Sequence, residues 1–437
     1  MNDAHQIHEC QVVRDGIHRS GIHQLDTYVF HGGYDALRLA VGYLTPQEII
    51  QMVAESELSG RGGAGFSAGR KWATVAAADG TPVVVVNGDE SEPGSFKDRE
   101  LMEKLPHRII EGALIAAHAV GADEVILFVR NEYRLATQRL EAALEELRQA
   151  HLPGQVPMHV HISAGAYICG EETALIEALE GNRPIPREKP PYPAELGYQG
   201  RPTLVNNVET LANIPAIISR GPEWFRHLGV PGAAGTRVFS ISGQVRRPGN
   251  YESELGVPLL GLIEELGGGV HPGRAIKAVV PGGTSSPVLS GLSLGIRMTP
   301  HALKEVGSSL GTASVIVYDD TTCMVDAAAN MSRFYRDESC GKCTPCRDGT
   351  QLLFEILSRI ETGKGSAEDL ERLTQICDYI PWGSVCALGI GAVAPVRSTL
   401  KQFHAEYLAH VREGRCPIRQ DRQTARRHRT KAGAPSP

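Results

Sequence analysis

The stretch TPVVVVNGDESEPG, residues 81–94, joins four consecutive valines to a polar loop. A short apolar run bounded by turn residues is typical of a strand that is buried on both faces, as in a parallel sheet. Similar strand patterns occur in DEVILFVRNEY (123–133) and MHVHISAGAYICG (158–170), and helical patterns separate the three segments. This alternation of strands and helices predicts an α/β domain over residues 1–232.

The sequence changes character beyond residue 232. RVFSISGQVRRPGNYESELG (237–256) alternates like a hairpin, and dense turns favour a small α+β module over residues 233–320. Between residues 321 and 411, four segments carry apolar residues at three-to-four spacing, which predicts a four-helix bundle. Residues 412–437 are basic and almost free of apolar side chains, so we expect a disordered tail. Such a tail is either simply solvated or docked on an acidic partner or anionic lipid.

Composition places the chain among ordinary globular proteins. Its 437 residues carry a net charge of -6, which gives no general signal for a polyanionic partner. No segment approaches the roughly 20 apolar residues that a membrane span needs, and the N-terminus lacks the apolar region of a signal peptide. We therefore expect a cytoplasmic protein whose nine cysteines are metal ligands or free thiols, with only peripheral membrane association.

A cysteine triplet stands in ESCGKCTPCRDG, residues 338–349, where Cys340, Cys343 and Cys346 are each three residues apart. This spacing, on a turn that opens a helix, suits a cubane [4Fe–4S] cluster, and zinc is the alternative for four thiolates. The remaining candidates for a fourth ligand are Cys323, Cys377, Cys386 and Cys416. We predict Cys386, because it lies in a glycine-flanked loop before another helix, where backbone can approach a cofactor.

The segment GRGGAGFSAGRKW, residues 60–72, is glycine-rich. It formally matches the dinucleotide fingerprint, but a helix precedes it where that fingerprint requires a strand. Its glycines would let backbone N–H groups approach an anion or a flat ring. Charge would come from Arg61, Arg70 and Lys71, and a stacking face from Phe66. The competing interpretation is an ordinary flexible loop.

Three further polar segments are candidates for the same site. The loop NGDESEPGSFKD (87–98) contains closely spaced carboxylates, which either bind a ribose or are simply solvated. GAYICGEETAL (165–175) places Gly170, Glu171 and Glu172 at a helix start, where capping is the alternative role. PTLVNNVETLANIP (202–215) contains Asn206 and Asn207, whose amides either form hydrogen bonds with the edge of a flavin or cap a helix.

Taken together, these motifs and KPPYPA (189–194) resemble the NADH-oxidising flavoprotein subunit of respiratory complex I, the 51 kDa-type. The same module occurs as the diaphorase subunit of NAD-linked hydrogenases and formate dehydrogenases. The resemblance covers about residues 30–410. It implies a Rossmann-like α/β domain for FMN and NADH, a ubiquitin-like β-grasp (SLBB-like) module, and a C-terminal four-helix bundle that carries one [4Fe–4S] cluster.

The resemblance also assigns site residues. The loop residues Gly60, Arg61, Gly62, Gly63 and Gly65 would form the shared bed for FMN and NADH. The other expected flavin contacts are Lys71, Asn87, Asp89, Ser91, Tyr167, Gly170, Glu171, Glu172, Asn206, Asn207 and Thr210. Expected nicotinamide dinucleotide contacts are Phe66, Glu92, Lys189 and Tyr192. The expected cluster ligands are Cys340, Cys343, Cys346 and Cys386.

The implied activity is that of an NADH dehydrogenase. Hydride would pass from NADH to FMN with no protein acid or base, and single electrons would then pass to the cluster. A carboxylate at Glu92 would disfavour the 2′-phosphate of NADPH. Expected partners are a small [2Fe–2S] thioredoxin-like subunit and further iron–sulfur subunits at the inner face of the cell membrane, with no nucleic acid.

Two other functions stay open on the sequence. One is diaphorase chemistry within a hydrogenase or formate dehydrogenase. The other is a non-catalytic electron-relay subunit, favoured only by Thr74, which replaces a phenylalanine common against the adenine.

Overall fold

The computed structural model describes residue 7 and residues 9–418. The helices that precede the second sheet are α1 (Leu25–Phe30), α2 (Asp35–Tyr43), α3 (Pro46–Glu55), α4 (Ala68–Ala76), α5 (Lys97–Lys104), α6 (Pro106–Val120), α7 (Arg134–Ala150), α8 (Glu172–Leu179), α9 (Val208–Ala212), α10 (Ile214–Arg220) and α11 (Pro222–His227). The later helices are α12 (Leu259–Gly261), α13 (Pro300–Glu305), α14 (Met324–Glu338), α15 (Thr344–Glu361), α16 (Ala367–Gly383), α17 (Ala387–Gln402) and α18 (His404–Glu413). The strands are β1 (Val83–Gly88), β2 (Glu124–Arg130), β3 (Met158–Ser163), β4 (Thr203–Asn207), β5 (Gly229–Val230), β6 (Ala233–Ala234), β7 (Thr236–Gly243), β8 (Gly249–Glu254), β9 (Ile276–Val280) and β10 (Ser314–Asp319).

The first sheet is parallel throughout and has the strand order β3-β2-β1-β4. Its central strand β1 is the valine run, and all four valines are buried because the sheet is covered on both faces. Strand β1 pairs with β2 on one side and with β4 on the other, so the order reverses between β1 and β4. The α/β class predicted from the sequence is thereby confirmed.

Helices α5 and α6 correct one expectation. The segment 101–122 predicts a single helix with a proline near its start, whereas the structure has two helices that meet at Leu105. Pro106 begins α6, because proline lacks the N–H that a helix interior needs and its ring clashes with the preceding turn. Farther along α6, a Cβ at Gly112 would lie 2.1 Å from the carbonyl oxygen of Leu211, so glycine lets α6 and α9 approach closely.

The second sheet is mixed and has the order β8-β7-β10-β9. Strands β7 and β8 pair in antiparallel register, which confirms the predicted hairpin. Strand β10 then runs parallel to β7 and antiparallel to β9. The main apolar core of this sheet is separate from the core of the first sheet.

The C-terminal region is helical from α14 to α18, one helix more than the four-helix prediction. The predicted last helix is split, because Phe403 has φ -119° and ψ 31° and ends α17. The expected disordered tail is also wrong for residues 412–418: α18 continues to Glu413, and Cys416 is buried. The rest of the expected tail, residues 419–437, lies outside the described residues. Across residues 9–418, no helix combines the length and the apolar character needed to cross a bilayer.

Candidate functional site

The glycine-rich loop connects α3 to α4 and is closed at its base. The Gly60 N–H donates to the Phe66 carbonyl oxygen at 2.8 Å. Gly63 and Gly65 have φ values of +126° and +67°, which favour glycine. A Cβ at Gly65 would meet no atom within 4 Å, and one at Gly63 would meet only the Thr312 methyl at 3.7 Å. The loop therefore borders open space and exposes bare backbone to it.

This loop lies over the carboxyl end of the parallel sheet. Asn87 at the end of β1 pairs in register with Asn207 at the end of β4. A Cβ at Gly62 would lie 3.1 Å from the Asn207 Cβ, so the loop covers these two strand ends. Open parallel sheets bind ligands at the carboxyl ends of the strands, where the strand order reverses. The crevice between β1, β4 and the glycine loop is thus the candidate site.

The two amides predicted at the start of α9 have fixed orientations. Asn206 accepts a hydrogen bond from the Trp72 indole at 2.8 Å. Asn207 Oδ1 accepts from the N–H of Glu209 at 3.0 Å, and its amide donates to Asp98 at 2.7 Å. The helix-capping role considered for Asn207 is therefore present in the structure.

The acidic loop after β1 is buried, which rules out the solvated-loop interpretation. Asp89, Glu90, Glu92 and Asp98 are each at most 7% exposed. Asp89 accepts hydrogen bonds from Ser91 at 2.9 Å and from Ser163 at 3.2 Å. Burial raises the pKa of Asp89 to about 6, despite these donors.

Glu90 supports the loop from inside. Its carboxylate accepts from the N–H groups of Asp98 and Arg99, both at 3.0 Å, at the start of α5. Burial, followed by the charge of Asp98, raises the pKa of Glu90 to about 7. This carboxylate is therefore already hydrogen-bonded to backbone N–H groups of the protein.

Glu92 joins three parts of the chain. It accepts from the Tyr167 hydroxyl at 2.7 Å, from the Thr284 hydroxyl at 3.1 Å and from the Ser285 N–H at 2.8 Å. Tyr167 follows β3, whereas Thr284 and Ser285 belong to the second sheet's module. Burial, followed by the Glu92 charge, raises the pKa of Tyr167, so this phenol stays protonated and donates to the carboxylate.

Two lysines converge on the start of α8. Lys71 Nζ lies 2.7 Å from Glu172, and Lys189 Nζ lies 2.8 Å from Glu171 and 3.0 Å from Glu172. Glu171 also caps α8 through the N–H groups of Thr173 and Ala174, so the capping role considered for it is present. Gly170, the residue before this pair, accepts from the Asn87 amide at 3.0 Å and thus ties α8 to β1.

The two aromatic residues expected at the nicotinamide dinucleotide are accessible. Phe66 is 51% exposed at the end of the glycine loop, and the Arg70 guanidinium lies 5.6 Å from its ring centroid. Tyr192 is 52% exposed in the segment between α8 and β4. Exposed rings of this kind offer flat faces to a ligand.

Arg61 corrects the sequence prediction that its charge serves a ligand. Its guanidinium is fully buried and donates to the carbonyl oxygens of Ala234 and Thr236. Its N–H donates to the Thr210 hydroxyl at 2.9 Å, and its own carbonyl accepts from Arg237. Arg61 therefore anchors the glycine loop to the second module, because its guanidinium faces the protein interior.

The four predicted cluster ligands meet between α15 and α17. Cys343 and Cys386 are the N-caps of these two helices, and Cys346 lies in the first turn of α15. Cys346 is buried, and Cys340, Cys343 and Cys386 pack against its apolar cluster. Burial raises the pKa of Cys346 to about 12, and the three neighbouring thiols add to this. Two helix N-termini thus point at one group of thiols and would stabilise its negative charge.

The four predicted cluster ligands are distinct from another group of metal-type side chains. Among the described residues, the ligand atoms that gather within 4.8 Å in a group of three or more belong to Cys323, His410 and Cys416. All four predicted ligands lie within the described part of the chain, and no three of them come that close together. The features that favour an iron–sulfur cluster at these residues are therefore the cysteine spacing in the sequence and the two helix N-termini.

Sequence reasoning missed two polar residues of this site. Arg130 ends β2 and donates to the Glu90 carbonyl at 2.8 Å and to the Ser91 hydroxyl at 3.0 Å. Ser163 ends β3 and donates to Asp89. Both stand at the carboxyl end of a predicted strand, as Asn87 does, so the position at the strand end is the signal that could have found them.

Comparison with known families follows the same division of the chain. The model of the Nuo51 FMN-binding domain matches residues 53–216. An SLBB domain model matches residues 237–317, and the iron–sulfur binding region of NADH-ubiquinone oxidoreductase-F matches residues 326–410. These three matches correspond to the parallel-sheet region, the second sheet's module and the helical region.

Whole-chain relatives agree. An NADH-quinone oxidoreductase F subunit of Rhizobium meliloti (strain 1021) is 48% identical over 405 residues, covering 91% of this chain and 96% of the relative. The NADH-quinone oxidoreductase F subunit of Escherichia coli (strain K12) is 42% identical over 400 residues, covering 89% and 90%. A crystal structure of an NAD+-reducing [NiFe]-hydrogenase in the air-oxidised state superposes with a TM-score of 0.81 at 35% identity, covering 92% of this chain and 67% of that chain. The sequence relatives and the matched family models show that this chain belongs to the family of NADH-quinone oxidoreductase F subunits.

Proposed function

We propose that this chain is the NADH-oxidising flavoprotein subunit of an NADH:quinone oxidoreductase. One observation carries the proposal. The segment that leads from β3 to α8 borders the crevice through Gly170, and Ile168 of this segment and Ala174 of α8 pack in the same apolar cluster as Cys346. One short packed segment thereby connects the proposed flavin crevice with the proposed iron–sulfur site, which supports electron transfer between them.

The residues of the crevice fit FMN. Gly62, Gly63 and Gly65 would let a flat ring contact backbone where any side chain would fill the space. The remaining proposed flavin contacts are Gly60, Lys71, Asn87, Asp89, Ser91, Tyr167, Gly170, Glu171, Glu172, Asn206, Asn207 and Thr210. Lys71 supplies the positive charge for a phosphate or an electron-rich ring. Arg61 contributes by anchoring the loop.

NADH would bind on the exposed side of the loop. We assign Phe66 and Tyr192 as ring contacts, because both present accessible aromatic faces. Lys189, paired with Glu171 and Glu172, would orient the dinucleotide at the mouth of the crevice. Glu92 would oppose a 2′-phosphate, and its three donors hold its carboxylate in place.

When bound, FMN supplies hydride acceptance from NADH and release of electrons one at a time. The protein residues orient the rings and exclude water, and we assign no side chain as a proton donor or acceptor in the hydride step. Cys340, Cys343, Cys346 and Cys386 would hold a [4Fe–4S] cluster, with the α15 and α17 N-termini stabilising its charge.

The finer architecture and the partners also belong to this proposal. We assign residues 1–232 to a Rossmann-like domain, 233–320 to a ubiquitin-like β-grasp module and 321–411 to the cluster-bearing bundle. The onward electron acceptor would be a small [2Fe–2S] thioredoxin-like subunit within a larger complex at the inner face of the membrane. The structural similarity to an NAD+-reducing hydrogenase supports a second candidate function, diaphorase chemistry in such a complex.

Reduction of ferricyanide by NADH, measured with the isolated full-length chain loaded with FMN and its cluster, tests the proposal. We expect turnover that disappears when FMN is removed and returns when it is added back. A loaded chain with no NADH-dependent turnover would instead support a non-catalytic relay. Co-purification of a quinone-reducing or a hydrogenase partner then separates the two enzymatic candidates.

A further inference from the structure

Cys323, His410 and Cys416 form a second group of metal-type side chains. Their ligand atoms all lie within 4.8 Å of one another, and Cys323 Sγ is 3.6 Å from His410 Nε2. The three residues are 5%, 0% and 8% exposed. Cys323 and Cys416 belong to a different apolar cluster from Cys346. The proposed flavin and iron–sulfur sites use none of the three.

The imidazole of His410 is oriented as a metal ligand would be. Its Nδ1 lies 2.8 Å from the Glu406 carbonyl oxygen. A carbonyl oxygen only accepts hydrogen bonds, so Nδ1 carries the ring proton and Nε2 presents a lone pair. Nε2 is the nitrogen that faces the Cys323 sulfur. Metal-binding histidines are commonly fixed by such a bond from the other ring nitrogen.

The three residues come from opposite ends of the helical region. Cys323 is the N-cap of α14, the first helix, whereas His410 lies in the last turn of α18. Cys416 follows α18 and is buried within a segment predicted as a disordered tail. An ion bound by all three residues would therefore connect the chain beyond α18 to the start of the helical region.

We propose that Cys323, His410 and Cys416 bind one Zn²⁺ ion. Two thiolates and a neutral imidazole form a donor set that zinc takes in proteins, and the two thiolates balance its charge. Binding releases the two thiol protons to solvent, and a water molecule completes the tetrahedron. The ion would connect the two ends of the helical region and perform no redox step, because Zn²⁺ has no redox chemistry.

Metal content of the full-length chain tests the site. The chain is purified under anaerobic conditions without a polyhistidine tag, and zinc, iron and FMN are measured per chain. We expect about one zinc in the wild type and less than about a tenth of that in Cys416→Ser, with iron and FMN unchanged. Cys377→Ser is the matched control, because Cys377 is a buried thiol of the same apolar cluster and lies outside the group of three. Equal zinc content in the wild type and Cys416→Ser would overturn the proposal.

Two measurements on the wild type decide the question even if Cys416→Ser does not fold. Zinc X-ray absorption should give two sulfur neighbours at about 2.3 Å and two nitrogen or oxygen neighbours at about 2.0–2.2 Å, whereas four sulfurs would place zinc at the iron–sulfur ligands and overturn the proposal. Labelling with N-ethylmaleimide should reach Cys323 and Cys416 only after a zinc chelator is added. Full labelling of Cys323 and Cys416 before any chelator is added, or a Cys323–Cys416 disulfide in the anaerobic protein, would show that no zinc binds there.

Discussion

Replacing Gly63 with valine should remove bound flavin and leave the iron–sulfur cluster in place. Gly63 has φ +126°, in a region that L-amino acids rarely adopt, and the Thr312 methyl at 3.7 Å is the single atom within 4 Å of its Cβ position. Holding a non-glycine residue in such a conformation costs about 1–3 kcal/mol. If the loop relaxes in the apoprotein, FMN binding must restore this strain, which weakens the affinity by about 5- to 150-fold. The valine methyl groups would add to this loss by occupying the space at the loop.

The assay is the FMN content per chain after desalting, together with the dissociation constant from flavin fluorescence. Iron and acid-labile sulfide, measured on the same sample, should stay unchanged in Gly63→Val. Gly42→Val is the matched control, because Gly42 lies on α2 with no atom within 4 Å of its Cβ position and without a positive φ. Wild-type FMN content and affinity in Gly63→Val would refute the assignment of this loop as the flavin bed.

Four other perturbations test separate parts of the molecule. Glu92→Gln should raise the ratio of kcat/KM for NADPH to that for NADH by about tenfold, about 1.4 kcal/mol, and an unchanged ratio would mean that Glu92 does not face the ribose. Burial raises the Asp89 pKa from 3.8 to about 6, so its neutral form stabilises the folded apoprotein below pH 3.8 and this stabilisation is lost as the pH rises through about 6. A carboxyl infrared band that disappears near pH 6 and is missing from Asp89→Asn would confirm this shift, and a band midpoint near the unshifted value of 3.8 would contradict it. Lys97→Met should lower the thermal unfolding midpoint strongly, because removing the lysine that forms ion pairs with the buried Asp98 and Glu209 carboxylates costs about 3–5 kcal/mol, and an unchanged midpoint would refute that reasoning. Cys386→Ser should lose most of its iron and keep FMN while Cys377→Ser keeps both, and full iron content in Cys386→Ser would assign the fourth ligand elsewhere.

Much of the fold could be predicted because its signals are local. The valine run of β1 and the hairpin of β7 and β8 appear where periodicity places them. The break at Leu105 was missed because a proline near a helical pattern is compatible with either a first turn or an interruption. The split at Phe403 has no local signal, since its segment keeps a helical pattern throughout.

The sequence predicted which residue types form the site better than it predicted which partners those residues contact. Glycine spacing and the cysteine triplet mark the two cofactor regions, because bare backbone and three inward thiols require those residue types at those positions. The burial of Arg61 against Ala234 and Thr236 could not be predicted, because its partners lie more than 170 residues away. The burial of Glu90 was missed for another reason: its charge and loop position suggest solvent, whereas its carboxylate accepts hydrogen bonds from the nearby N–H groups of Asp98 and Arg99 at the start of α5.

Local patterns in the amino-acid sequence were enough to predict the alternation of strands and helices, the glycine-rich loop and the cysteine triplet, because backbone preference and ligand spacing act over a few neighbouring residues. Packing of the whole chain determines which side chains face the crevice and which form hydrogen bonds and ion pairs inside the protein. It also brought Cys416 against Cys323 and His410, from a segment that composition alone predicts to be disordered. The physical reason is that the partner of a buried charge or thiol comes from a distant segment, and only packing of the whole chain selects that segment.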